Sequence, residues 1–170
     1  GTDAVSFDAS GAILGLTGGL SDTRLTGLGT AAGIGYASFE ALHLALGSGG
    51  DDLTITGTHT GTTAVQSNGG DDHVLVQAVD GPATIDTGSG SDTVDVAVHV
   101  AADAEVSSPI AALLTVEGGG GGADTLNVAS ESTLDETGTL TPTTITGLEM
   151  AEGIVYGGME ALHISLGSGG

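Results

Sequence analysis

The sequence predicts an all-β repeat protein, folded as a right-handed parallel β-solenoid. Three observations predict it. A Gly-rich acidic turn recurs along the 170 residues. Each copy leads into a short stretch whose apolar residues alternate, the period of a strand with one buried face. The spacing between copies is close to 20 residues, enough for one coil of a stacked repeat but too little for an independent domain.

The turn reads Gly47-Ser48-Gly49-Gly50-Asp51-Asp52-Leu53, then Asn68-Gly69-Gly70-Asp71-Asp72-His73-Val74, then Gly88-Ser89-Gly90-Ser91-Asp92-Thr93-Val94. Asp51 to Asp72 is 21 residues and Asp72 to Asp92 is 20. Gly120-Gly121-Gly122-Ala123-Asp124 is a fourth copy, and Gly1-Thr2-Asp3-Ala4-Val5 is a truncated fifth. Apolar residues stand two and four places after each key aspartate, as in Leu53 and Ile55 or Val74 and Val76. A second strand precedes each turn, carried by Leu42 to Ala45, Thr63 to Gln66, Ala83 to Asp86 and Leu114 to Glu117. Residues 57–61 and 79–83, rich in turn formers, close the other side of the coil.

Stacking such coils brings equivalent residues to about 4.8 Å. The key aspartates then form a column of like charges, and each neighbouring pair repels by roughly 1 kcal/mol even in bulk water. A hard divalent cation would relieve this, since calcium accepts carboxylate and carbonyl oxygens in a flexible geometry. Gly47, Gly49, Gly70, Gly88, Gly90 and Gly122, with Asn68, let the turn backbone adopt the needed conformations. The candidate calcium ligands are Asp3, Asp51, Asp52, Asp71, Asp72, Asp92 and Asp124 with those turn residues.

At these residues the chain resembles the RTX, or haemolysin-type, calcium-binding repeats, whose nonapeptide is Gly-Gly-x-Gly-x-Asp-x-U-x with U a large apolar residue. Asp3, Asp51, Asp72, Asp92 and Asp124 match the family's Asp, and Val5, Leu53, Val74, Val94 and Leu126 match U. The resemblance implies a parallel β-roll or β-helix with calcium held between successive turns. Here, however, the motif recurs once per coil rather than at each half-turn, so the reading places calcium along one edge only.

A longer repeat overlies the short one. Residues 11–50 match residues 131–170 at an offset of 120, with about half the positions identical, including Glu40-Ala41-Leu42-His43 against Glu160-Ala161-Leu162-His163. Residues 1–120 are therefore read as one full unit and residues 121–170 as the start of the next. Between Asp3 and Asp51, short strands are expected at Ile13–Leu16, Leu25–Leu28 and Ile34–Tyr36. Residues 39–46 alternate cleanly, with Leu42, Leu44 and Leu46 inward and His43 outward. Residues 101–110 are expected to bulge out before 111–116 rejoin the stack. Residues 101–106 and 148–152 are the only helix candidates.

Composition sets further bounds. There is a single Lys or Arg (Arg24) against 22 Asp and Glu, a net charge of −21. Phosphate backbones and anionic membrane surfaces are thereby excluded as partners. Glycine is abundant at 32 residues and aromatics make up only 2%, which suits a narrow stacked interior. There is no cysteine, hence no disulfide or thiolate site, and no apolar run long enough for a helical membrane span. The absence of an initial Met or signal peptide suggests a slice of a longer chain or a mature fragment. Calcium at millimolar levels points to an extracellular or cell-surface location.

The five histidines, His43, His59, His73, His99 and His163, form no metal-ligand pattern and are read as solvent-facing. No nucleophile elbow or phosphate loop is present. Glu40 and Glu160 recur once per unit, which suits a structural role. The expectation is a non-enzymatic, calcium-stiffened repeat of an extracellular filament, surface layer or adhesin stalk, with itself as partner, either as a head-to-tail homopolymer or as covalent tandem repeats. The alternative is a binding module for ice or carbohydrate, suggested by the threonine run from Thr54 to Thr63.

Overall fold

A computed structural model describes residues 1–99, 108–132 and 135–168. Among the described residues there are sixteen strands and no helix. In chain order they are β1 (Ala4–Asp8), β2 (Thr17–Leu20), β3 (Arg24–Gly27), β4 (Thr30–Gly35), β5 (Ala41–Ala45), β6 (Asp52–Ile55), β7 (Thr62–Gln66) and β8 (His73–Val76). There follow β9 (Ala83–Asp86), β10 (Thr93–His99), β11 (Leu114–Glu117), β12 (Thr125–Ser130), β13 (Gly138–Leu140), β14 (Thr144–Gly147), β15 (Ile154–Gly157) and β16 (Ala161–Ser165).

They form two eight-stranded sheets. The first runs β1-β5-β7-β9-β11-β15-β14-β13 and the second β16-β12-β10-β8-β6-β2-β3-β4. From β5 to β12 the chain alternates between the sheets, and every neighbour within a sheet along that run is parallel. Parallel neighbours cannot be joined by a hairpin, so each connection crosses to the other sheet and back.

The register stacks like on like. In the second sheet Leu53, Val74, Val94, Leu126 and Leu162 form one column. In the first, Leu44, Val65, Ile85 and Val116 form another. The alternation seen in the sequence sends these side chains inward, where both sheets contribute to one buried cluster running from Leu20 to Ile154. Sliding any strand by one residue would turn its whole apolar set to solvent, so the pattern pins the register. Leu42, Leu44 and Leu46 are buried and His43 exposed, as the alternation of residues 39–46 requires.

Two antiparallel meanders interrupt this order. β2-β3-β4 lies in the second sheet, with β2 parallel to β6. β13-β14-β15 lies in the first, with β15 parallel to β11. Their pairings coincide at the 120-residue offset: Leu20 opposes Leu25 as Leu140 opposes Ile145, and Leu25 opposes Ile34 as Ile145 opposes Ile154. In both, the tyrosine hydroxyl donates to a carbonyl 15 residues earlier, Tyr36 to Ser21 and Tyr156 to Thr141.

Several local expectations are corrected. Residues 13–16 form no strand, and Ile13 and Leu14 are exposed on a connection that lies against the Gly49 turn. Residues 148–152 make a turn rather than a helix, because Leu148 and Glu149 take left-handed φ of 51° and 60°. The other helix candidate, 101–106, and most of the expected bulge lie outside the described residues. Ile110, at the end of that stretch, is buried and bridges to Val79.

Candidate functional site

Residues 46–51, 67–72, 87–92 and 118–124 connect the first sheet to the second along one edge of the molecule. Asp51, Asp72, Asp92 and Asp124 each sit one residue before or at the mouth of β6, β8, β10 and β12. Their side chains point inward and are 3%, 3%, 1% and 1% exposed. The four form a single column, but not one held apart at arm's length. The Asp51 amide donates to Asp72 Oδ1 at 2.7 Å, Asp72 to Asp92 Oδ1 at 2.8 Å, and Asp92 to Asp124 Oδ1 at 2.9 Å. Both ends continue the pattern: the Leu16 amide donates to Asp51 Oδ1, and the Asp124 amide to Glu160 Oε2, each at 2.7 Å.

The column is thus a ladder in which each carboxylate receives a backbone N–H from a neighbouring turn. Hydrogen bonds to an ionised acceptor are among the stronger ones available, about 1.5–3 kcal/mol each. They meet part of the like-charge repulsion without any metal.

Part of the charge is left uncompensated. Asp72 Oδ2 and Asp92 Oδ2 are buried and accept no hydrogen bond. The Thr87 hydroxyl near Asp92 donates instead towards the Glu117 and Gly118 carbonyls. Burial, reinforced by Asp92, Asp51 and Asp71, pushes the Asp72 carboxyl up to about 7 although the Asp51 amide pulls the other way. Burial likewise raises Asp92 above the usual carboxylate range.

The turn glycines serve close approach. Gly90 has φ 149°, and a Cβ there would lie 1.8 Å from the Gly70 carbonyl oxygen. Asn68 takes φ 71°, the left-handed conformation that Gly88 takes one turn on at φ 88°, which accounts for Asn in a glycine position. The Ser89 amide donates to the Asn68 carbonyl and the Gly70 amide to the Ser89 carbonyl, so several turn groups are already engaged in stacking.

The remaining predicted site residues separate from this column. Asp52 and Asp71 are exposed. Asp71 accepts the Ser91 amide at 2.8 Å, and Asp52 faces His73 Nδ1 at 3.4 Å. Asp3 stands before β1, a strand of the first sheet, so it lies at the opposite edge from Asp51 to Asp124. It is exposed, and its amide donates to Glu40 Oε2 at 2.6 Å. The single-edge expectation is corrected on this point.

Glu40 and Glu160 are ladder rungs that the turn motif did not identify. The signal was available: each stands two and four places before apolar strand residues, Leu42 and Leu44 or Leu162 and Ile164, as the key aspartates do. Glu160 even keeps the glycine two places before it, Gly158, where Glu40 has Ser38; what differs is Glu in place of Asp.

Two histidines depart from the solvent-facing expectation. His73 bridges Asp52 and Asp95, with Nε2 2.8 Å from Asp95 Oδ2, and that hydrogen bond raises its pKa above the ordinary value. Asn127 Nδ2 donates to the other Asp95 oxygen at 2.6 Å. His59 meets the Phe39 ring at 4.6 Å and the Thr63 hydroxyl at 3.3 Å, and its Nε2 is buried without a partner. Thr58 and Thr63 are buried. Thr54 continues along its row as Leu75, Asp95 and Asn127, so no threonine ladder forms there.

Among the described residues no group of three or more Asp, Glu or His side chains converges as a metal site. The donor set suits a hard cation in kind, since it offers only oxygens and leaves the buried Asp72 Oδ2 without a donor. Further ligands would have to be turn carbonyls. No protein-family model matches the chain, and neither the curated proteins nor the solved structures contain a match.

Proposed function

We propose that this chain is a structural repeat of a long extracellular filament or stalk, built as a right-handed parallel β-solenoid and stiffened by calcium at its acidic corner. One observation carries the reading. The buried carboxylate ladder joins turn to turn along the molecule's length while leaving anionic oxygens on Asp72 and Asp92 without donors. A column of this kind braces a rod, and it gains from a cation that neutralises it. The net charge of −21 makes the same demand on the molecule as a whole. No catalytic role is assigned. At His73 the approaching side chains are Asp52 and Asp95, which bracket the imidazole on the surface of the second sheet.

Circular dichroism melts with millimolar calcium and with EDTA test the reading. Calcium that binds the folded state alone raises the midpoint by mass action, by an amount that grows with its concentration. Midpoints and spectra that coincide with and without calcium would remove the metal from the proposal.

A further inference from the structure

We propose that each open end of the molecule is the docking surface for another 120-residue unit of this same sequence, joined in continuous chain with the two sheets exchanged. The inference rests on the filament reading and specifies its joint.

The large apolar side chains left exposed on the end strands and beside them are Leu140, Leu166 and Ile34, at 56%, 55% and 39%. Their counterparts 120 residues away, Leu20, Leu46 and Ile154, are each 1% exposed. The same residues in the same local fold are therefore buried once a neighbour is present, and the chain itself displays that neighbour.

The four edge strands are β1, β4, β13 and β16. β13 corresponds to β2, which pairs with β6. β16 corresponds to β5, which pairs with β7. β4 corresponds to β15, which pairs with β11, and β1 corresponds to β12, which pairs with β10. Each edge thus has an assigned partner strand of known register.

The sheet exchange follows from the same correspondence. β5 and β16 are one strand of the repeat, as are β1 and β12, yet β1 and β5 lie in the first sheet and β12 and β16 in the second. The two meanders are likewise in opposite sheets. One unit spans an odd number of crossings between sheets, so the next unit starts on the other side. The carboxylate column changes edge with it, which is why Asp3 and Glu40 stand opposite Asp51 to Asp124.

The edges β13 and β16 thus call for copies of β6 and β7, and the edges β1 and β4 for copies of β10 and β11.

The test extends the full chain at its C terminus with a second copy of residues 51–170. The chain has no cysteine, so single Leu140→Cys and Leu166→Cys variants report cleanly. Alkylation by a maleimide is expected to slow at least tenfold in the extended chain, while Leu14→Cys, on the exposed connection, is unchanged. A cysteine at Thr139 is expected to form a disulfide with one at the appended copy of Thr54, because Gly19 opposes Thr54 in the existing pair. Unchanged alkylation of both leucine positions in a folded extended chain overturns the proposal. So does protection in the 170-residue chain that rises with concentration, which would mean that separate copies cover the ends. Both arms are run in calcium and in EDTA, so loss of the metal effect and loss of the joint are read separately.

Discussion

Asp72 holds one oxygen against the Asp51 amide and leaves the other without a donor in the interior. Asparagine keeps an acceptor for that amide and removes the charge, whereas alanine strands a buried N–H, at a cost of about 1–3 kcal/mol. In EDTA at pH 8, Asp72→Asn is therefore expected to be at least as stable as the parent chain and Asp72→Ala clearly less stable by urea titration. Equal losses for both would dismiss the ladder as a source of stability. Titration has a definite sign here. A carboxyl whose folded pKa is raised from 3.8 to about 7 favours folding as it takes up its proton, so stability rises as pH falls from about 7 towards 4. His73, also raised, contributes stability that is present below its ordinary 6.5 and lost as pH climbs through the folded value. The two add, and without metal the melting midpoint is expected to increase from pH 8 to pH 5. A midpoint that falls over that interval would contradict both assignments.

At the scale of the element, strands and turns were unequally legible. Leu42, Leu44 and Leu46 alternate with His43 and Ala45, and a period of two with one face buried leaves a strand little choice. Ile13–Leu16 offered apolar residues without a partner strand in register, and tertiary pairing passed it over in favour of Thr17–Leu20. The glycine turns were visible as turns, but which glycines the stacking demands was not. Gly90→Ala forces an alanine to φ 149° and its Cβ onto the Gly70 carbonyl. It is expected to cost more than ~2 kcal/mol in chemical denaturation, since strained φ and overpacking each cost about 1–3 kcal/mol. Gly120, whose Cβ would meet nothing within 4 Å, is the matched control, and Gly120→Ala should change little. Comparable losses at the two positions would mean that turn flexibility, not close approach, selects glycine.

For the whole molecule, charge is the dominant stress. One basic residue opposes 22 acidic ones, so repulsion acts along the entire length. At ionic strengths above about 0.15 M the screening length falls below 8 Å. In EDTA, added sodium chloride is accordingly expected to raise the melting midpoint over the range of about 0.05 to 0.5 M, with most of the gain from exposed carboxylates such as Asp52 and Asp71. A midpoint indifferent to salt would show that the ladder alone contains the charge. No helix among the described residues is long and apolar enough to cross a membrane. The two meanders, one in each sheet, are why both sheets count eight strands.

The alternating strands, the recurring turn and the match of residues 11–50 to 131–170 can all be read from the sequence, because periodicity is a property of order along the chain. It took the folded molecule to turn the aspartates inward onto amides of adjacent turns, and to put β1 and β5 in the opposite sheet from their counterparts β12 and β16. Those outcomes depend on which backbone groups meet across 20 to 40 residues of intervening chain, and on whether a unit makes an odd or an even number of crossings. Neither is written in any local pattern.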